Sequence, residues 1–382
     1  MSGVYERRLL TQDRGFGLLQ KFWQIPWSFA LLTCALAGIG YVALYSAGGG
    51  PEVYATKHAT RFGFGFVLML TIAMIDIRLI ARFAWAGYLL GIGLLVLVLL
   101  HGNVGKGAQR WIDIGPLQLQ PSELMKIMLV LALAAWFQRA SYERVGNPLF
   151  LIPPAIMILV PVGLILKQPN LGTALITAMI GGAVFFAAGV RLWKFALILG
   201  AVGCAAPIAY DHLRDYQKAR INVFLNPESD PLGAGYNIIQ SKIALGSGGL
   251  WGKGFLQGTQ GHLNFLPEKQ TDFIFTMIAE EFGLVGALGT LALLLLVVVF
   301  CFLVAMRCRH QFGRLVALGL GTNFFLYVFV NIAMVTGSIP VGGVPLPLIS
   351  WGGSAMLTTM LGFGLLMSCY VHRDVEFTAA RE

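Results

Sequence analysis

A chain of 382 residues in which 57% are hydrophobic and only 12% charged has too few charges to cover a surface in water, which excludes a soluble globular domain. Its formal net charge of +9 is scattered as Lys and Arg between apolar runs rather than gathered in one stripe, which argues against a nucleic-acid partner. The five cysteines, at 34, 204, 301, 308 and 369, form no C-x-x-C pair, so neither a disulfide framework nor a zinc site is expected.

The first 21 residues of an N-terminal segment, 1–27, are polar and mixed in charge, and the apolar run that follows is too long for the core of a cleavable signal peptide; it reads as a retained anchor. A membrane-crossing helix needs about 20 apolar residues. By that measure about ten spans are predicted, near 28–47, 60–76, 83–101, 122–139, 149–167, 171–190, 194–210, 273–305, 315–336 and 347–371. The predicted fold is therefore an all-α polytopic membrane protein, with no polar linker or fixed-period repeat to divide residues 1–382 into more than one domain. Arg7, Arg8, Arg78, Arg82, Arg139, Arg144, Arg191, Arg307, Arg309 and Arg373 crowd one set of connections, whereas the other set and its borders hold Lys57, Arg61, Lys106, Arg110, Lys126 and Lys167. The positive-inside rule places the first set, both termini and the tail 372–382 in the cytoplasm. The large loop 211–272, between helices seven and eight, then lies outside.

Three outer stretches depart from plain membrane composition. In GKGAQRWIDIGPLQLQPSELMK, 105–126, Pro121 and Ser122 supply a helix start, and Glu123 and Lys126 follow at a spacing that puts both on one helix face. They form either an ion pair that fixes the helix or a polar wall for an anionic substrate. In KQPNLGT, 167–173, proline and asparagine signal a tight turn. The 211–272 loop exceeds ordinary connection lengths, and its aromatic and apolar content argues for order. It ends on Asp272, immediately before an apolar helix, where the common role of such a residue is an N-cap. Glu280 and Glu281, about two turns on, are a supporting core pair or a proton path.

Taken together, GAQRWI with QPSELMK, QPNLGT, YQKARI, GYNIIQSKIALGSGGLWGKGF, GTQ, LNFLPE, TDFIF with AEEFG, and VGGVPLPLISWGGSAM resemble the SEDS family of polytopic membrane proteins. The GTQ and FLPE form of the loop looks like the cell-elongation branch of that family more than its division branch. The resemblance runs from about the first span to the last. It implies ten transmembrane helices, a large loop between the seventh and eighth, and a bacterial peptidoglycan glycosyltransferase that polymerises lipid II at the outer face of the cytoplasmic membrane. It also implies a catalytic aspartate at TDFIF, which is Asp272, and functionally important polar residues at Glu123 and Lys126. Three positions depart from the family's usual residues: Asn170 for Asp, Gln270 for His and Trp351 for Tyr.

The chemistry implied is attack by the GlcNAc 4-hydroxyl of lipid II on the anomeric carbon of the lipid-linked chain, which leaves undecaprenyl diphosphate. An α-linked donor and a β-linked product require inversion, for which one general base, Asp272, suffices. Lys253, Arg220, Arg110 and Lys126 are candidates to stabilise the diphosphate. A divalent cation, Mg or Mn, is compatible with that task, but the sequence offers no dedicated ligand cluster. The implied partners are lipid II and its glycan products, a class B penicillin-binding protein and the MreB-associated elongation machinery. A lipid II flippase is the alternative from another class, and it would need a polar passage reachable from both leaflets. A non-catalytic scaffold is a third, and it would need no outer acid.

Overall fold

Long runs of Leu, Val, Ile, Ala and Gly, relieved only by isolated polar residues, satisfy their own backbone hydrogen bonds as helices, and each of the ten predicted apolar segments carries one. The computed structural model describes residues 17–375 except 106–107, 115–116, 212–217, 219–221, 227–233, 264, 267 and 341. In chain order, α1 (Leu18–Gln24), α2 (Trp27–Gly48), α3 (Thr56–Ala73) and α4 (Ile77–His101) precede a small sheet of β1 (Asn103–Gly105), β2 (Ala108–Ile114) and β3 (Leu117–Leu119). Helices α5 (Pro121–Phe137), α6 (Tyr142–Gly146), α7 (Pro148–Lys167), α8 (Leu171–Ala187) and α9 (Leu192–Asp211) follow. The loop region contains α10 (Ala234–Ser247) and α11 (Thr259–His262), and the chain closes with α12 (Ile274–Arg307), α13 (Gln311–Val335) and α14 (Gly353–Val371). Six of these, α2, α4, α7, α12, α13 and α14, are long and apolar enough to cross a membrane, and α8 and most of α9 are shorter apolar helices.

The sheet departs from the wholly helical expectation. Its strands run antiparallel, with Ile112 opposite Leu119 and Asp113 opposite Gln118. The cause is legible: Trp111, Ile112 and Ile114 give QRWIDI the aromatic and β-branched content that suits a strand. The last helix also starts later than predicted, at Gly353 rather than near 347. Pro345 and Pro347 deny the backbone two helical N–H donors. The stretch before α14 is instead irregular yet buried at Val344, Leu346, Leu348, Ile349 and Ser350. Such backbone is tolerated at membrane depth where protein surrounds it.

The centre of the bundle is α5, which packs against α4, α13 and α8, while α3 lies along α14 and joins the beginning of the chain to its end. Helix α12 packs on α13 and α2 and is broken at Gly283, whose φ of 67° and ψ of −165° are not helical. The glycine-rich segment 248–254 splints the break. Lys253 N and Gly254 N donate to the carbonyls of Glu280 and Glu281, at 2.9 and 3.0 Å, and Leu284 N and Val285 N donate to Gly249 O and Leu250 O, at 2.9 and 3.2 Å. Both sets of backbone groups orphaned by the break thus find partners. A Cβ at Gly283 would lie 2.3 Å from Gly252 N, so the approach requires glycine.

Candidate active site

Asp272 stands half-buried in the turn that leads into α12. The N-cap of that helix is Phe273, one residue further on, and it makes no side-chain capping hydrogen bond. The expected N-cap position for Asp272 is corrected accordingly: the turn's own geometry carries Phe273 into that place. Three residues tie down the backbone here. Asn331 Nδ2 donates to Asp272 O at 2.9 Å and to Val344 O at 2.8 Å, Ser350 Oγ donates to Thr271 O at 2.6 Å, and Trp351 N donates to Gln270 O at 2.8 Å. Asn331 is fully buried, so these bonds form where water does not compete. Gly343, at φ 68°, lies against the carboxylate: a Cβ there would be 3.7 Å from Asp272 Oδ2.

The second group of predicted residues lies on α5. Lys126 Nζ is 2.9 Å from Glu123 Oε1, and both side chains are buried. Tyr327 of α13 completes the group, since its hydroxyl donates to Glu123 Oε1 at 2.6 Å, accepts from Lys126 Nζ, and its ring lies 4.1 Å from the same ammonium. Beside it is a cavity of about 20 Å³ lined by Glu123, Asn323, Tyr327, Pro347, Thr358 and Thr359, room for about one water. Asn323 Oδ1 is buried with no partner among the described residues. Tyr327 and Asn331 are four apart and so share one face of α13. That face joins the Glu123–Lys126 pair to the Asp272 turn.

The third group belongs to the loop. Glu280, fully buried on α12, gathers four donors on Oε1: Lys253 Nζ at 2.7 Å, Thr259 N at 2.8 Å, Gln260 N at 3.0 Å and Thr259 Oγ1 at 3.1 Å. Its neighbour Glu281 accepts a hydrogen bond from the Ser46 hydroxyl of α2. Each carboxylate therefore holds a different piece of structure to α12. Lys269 donates to Gly261 O at 2.7 Å, and partial burial lowers its pKa from the ordinary lysine value.

Of the four cations considered for a diphosphate, Lys126 and Lys253 are thus ion-paired, and Arg110 donates to the carbonyls of Gln168, at 3.3 Å, and Pro169. Arg220 lies outside the described residues. Asn170 caps α8 by accepting from Thr173 N at 3.4 Å, a task for which Asn serves as well as Asp. Gln270 is held through its backbone carbonyl, a bond indifferent to its side chain. Among the described residues no group of three or more His, Cys, Asp or Glu side chains is assembled that could hold a metal ion. Sequence reasoning missed Tyr327, Asn331, Ser46 and Ser350. Only Asn331, a polar residue deep in an apolar helix, gave a signal.

The family model for FtsW/RodA/SpoVE cell cycle proteins matches residues 27–375. Peptidoglycan glycosyltransferase MrdB of Escherichia coli K12 is 45% identical over 352 residues, covering 90% of this chain and 93% of that protein. A probable peptidoglycan glycosyltransferase FtsW of Trichlorobacter lovleyi is 38% identical over 351 residues, covering 88% and 91%. Among solved structures, a chain of a peptidoglycan synthase complex that coordinates polymerization and crosslinking superposes with a TM-score of 0.80 at 34% identity, covering 91% of this chain and 98% of that one. The rod shape determining protein RodA of Thermus thermophilus superposes with a TM-score of 0.70 at 29% identity, covering 91% and 97%. With a family model matched along nearly its whole length and a fold shared with RodA, this chain belongs to the FtsW/RodA/SpoVE family, the SEDS proteins.

Proposed function

We propose that this chain polymerises lipid II at the outer face of the bacterial inner membrane by inverting glycosyl transfer, with Asp272 as the general base. The class of activity, peptidoglycan glycosyl transfer, rests on the family and on 45% identity to MrdB across 90% of the chain. The observation that carries the finer assignment is the way Asp272 is held, half-buried with the backbone from 270 to 272 tied by Asn331, Ser350 and Trp351. A carboxylate on so fixed a backbone pays little to orient itself toward a hydroxyl. The acceptor's 4-hydroxyl oxygen bonds to the donor's anomeric carbon as the bond from that carbon to the diphosphate oxygen breaks. Asp272 takes the hydroxyl proton, and undecaprenyl diphosphate departs with the bonding electron pair.

The topology that delivers Asp272 to the sugar has ten spans in a single domain over 1–382. Residues 1–27 and 372–382 are cytoplasmic, and the loop 211–272 is outside. The asymmetry of Lys and Arg supports it. A class B penicillin-binding transpeptidase is the proposed partner, supported by the likeness to a chain of a complex that couples polymerization to crosslinking. Work alongside the MreB-associated machinery rests on resemblance to the elongation branch.

The test is polymerisation of labelled lipid II by Asp272→Asn protein, beside lipid II binding by the same sample. Asn preserves volume and polarity but removes basicity, so a loss of about 10² to 10⁴-fold is expected with binding retained. Polymer yield equal to wild type would remove Asp272 from the base role.

A further inference from the structure

The cation that meets a lipid diphosphate is not accounted for by Lys253, Lys126 or Arg110, each of which already holds part of the protein together. Arg61 is differently placed. It lies in the second turn of α3, on the face that buries His58 and Gly65 against the rest of the bundle, and it is itself half-buried. Among the described residues it makes no ion pair and donates no hydrogen bond. Its guanidinium carbon lies 4.2 Å from the ring centroid of Trp351, and Tyr54 braces the other partner with its ring 5.2 Å from Trp351 in an edge-on contact. At Gly353 a Cβ would be 3.0 Å from that guanidinium carbon, so the glycine leaves it room.

A cation–π contact holds a guanidinium over a ring but leaves its five N–H donors without an oxygen acceptor. A half-buried arginine in that condition is unusual unless an anion completes it. The platform is also part of the Asp272 turn: Trp351 N bonds Gln270 O, Ser350 bonds Thr271 O, and Ser354 Oγ accepts from Gln120 N at the start of the Glu123–Lys126 helix. Resting on the proposed glycosyl transfer, we infer that Arg61, oriented by Trp351, binds the diphosphate of the polyprenyl-linked sugar beside Asp272. The ligand chemistry is a phosphate group on a lipid, recognised by the flat fork of donors. Trp351 thereby gains a purpose: its indole is a larger platform for the cation than a phenol.

The test uses full-length protein in phosphatidylcholine nanodiscs and measures retention of undecaprenyl diphosphate by wild type, Arg61→Gln and Arg61→Lys. Loss of an arginine–phosphate contact should weaken retention about tenfold or more in Arg61→Gln and less in Arg61→Lys. Uncharged undecaprenol should be retained equally by all three. Equal loss of both lipids would make Arg61 a structural residue, and unchanged retention of the diphosphate would remove it from the site. Phosphatidylglycerol is the second probe: dependence of its retention on Arg61 to the same degree would make the site one for bulk headgroups and overturn the inference. On lipid II, Arg61→Gln should raise KM more than it lowers kcat. Wild-type protein that binds the diphosphate through Arg61 yet forms no polymer would overturn the proposed function and leave this binding assignment standing.

Discussion

Lys126 shows at the scale of one residue what an apolar bundle demands of a charge. Its side chain is 1% exposed, and three features make that tolerable: the Glu123 carboxylate, the Tyr327 hydroxyl and the Tyr327 ring. Removing one ion strands the other in a poor solvent, at a cost of about 3–5 kcal/mol, whereas Tyr327→Phe keeps the ring and gives up hydrogen bonds worth about 1.5–3 kcal/mol. Thermal unfolding in detergent should therefore rank Lys126→Met and Glu123→Ala below Tyr327→Phe, and Tyr327→Phe below wild type. Exchanging the two charges together should recover part of the loss of either reversal alone, and strictly additive losses would show that the pair is not coupled. Glu123 and Lys126 were legible because a spacing of three puts them on one helix face, a local fact. Tyr327 was not, since nothing in NFFLYVF distinguishes a tyrosine that meets a lysine 201 positions away from one that faces lipid.

At the scale of an element, the break in α12 divides one long helix into two with different work. The part from Leu284 to Arg307 is about 36 Å long at 1.5 Å per residue, which suits a hydrocarbon core with modest tilt. The part before it, from Ile274 to Glu281, is buried throughout and carries Glu280 and Glu281 into the protein. Gly283→Ala should strain a positive φ and drive a methyl toward Gly252 N, with backbone strain alone of about 1–3 kcal/mol. The expected result is a loop 248–262 cut faster by protease, with the rest of the bundle protected as before. Cleavage at the wild-type rate would mean that the splint does not hold the loop. The sequence displayed both the glycine-rich stretch and the long apolar run, but not that one mends a gap in the other. That relation depends on the backbone angles of a single glycine within an otherwise helical pattern.

For the molecule as a whole, the apolar helices were readable, six of them long and apolar enough to cross a membrane, because a bilayer imposes length and apolarity on every helix that crosses it, whatever its neighbours. The clamp at Asp272 was not, because it joins segments some 60 to 80 positions apart. The small sheet and the late start of α14 have local causes, a run of β-branched and aromatic residues and two prolines, that apolar length alone passes over. Orientation is checked by single cysteines in an otherwise cysteine-free protein. A cysteine at the exposed Gln257 should react with an impermeant maleimide in intact cells, and one at the exposed Glu143 should react only after lysis. Cys308 is no use as an inner marker, being 4% exposed with burial pushing its thiol up to about 12. The reverse pattern would place Asp272 on the cytoplasmic side. The clamp around Asp272 has a further consequence for biosynthesis. Asn331, Gly343, Ser350 and Trp351 all follow Asp272 by some 60 to 80 positions, and the helix against which α3 lies is the last to be translated. A nascent chain in which these later residues are not yet in place has the turn's own bonds to Glu268 O but none of the four long-range contacts. The clamp therefore closes only after Trp351 has been made.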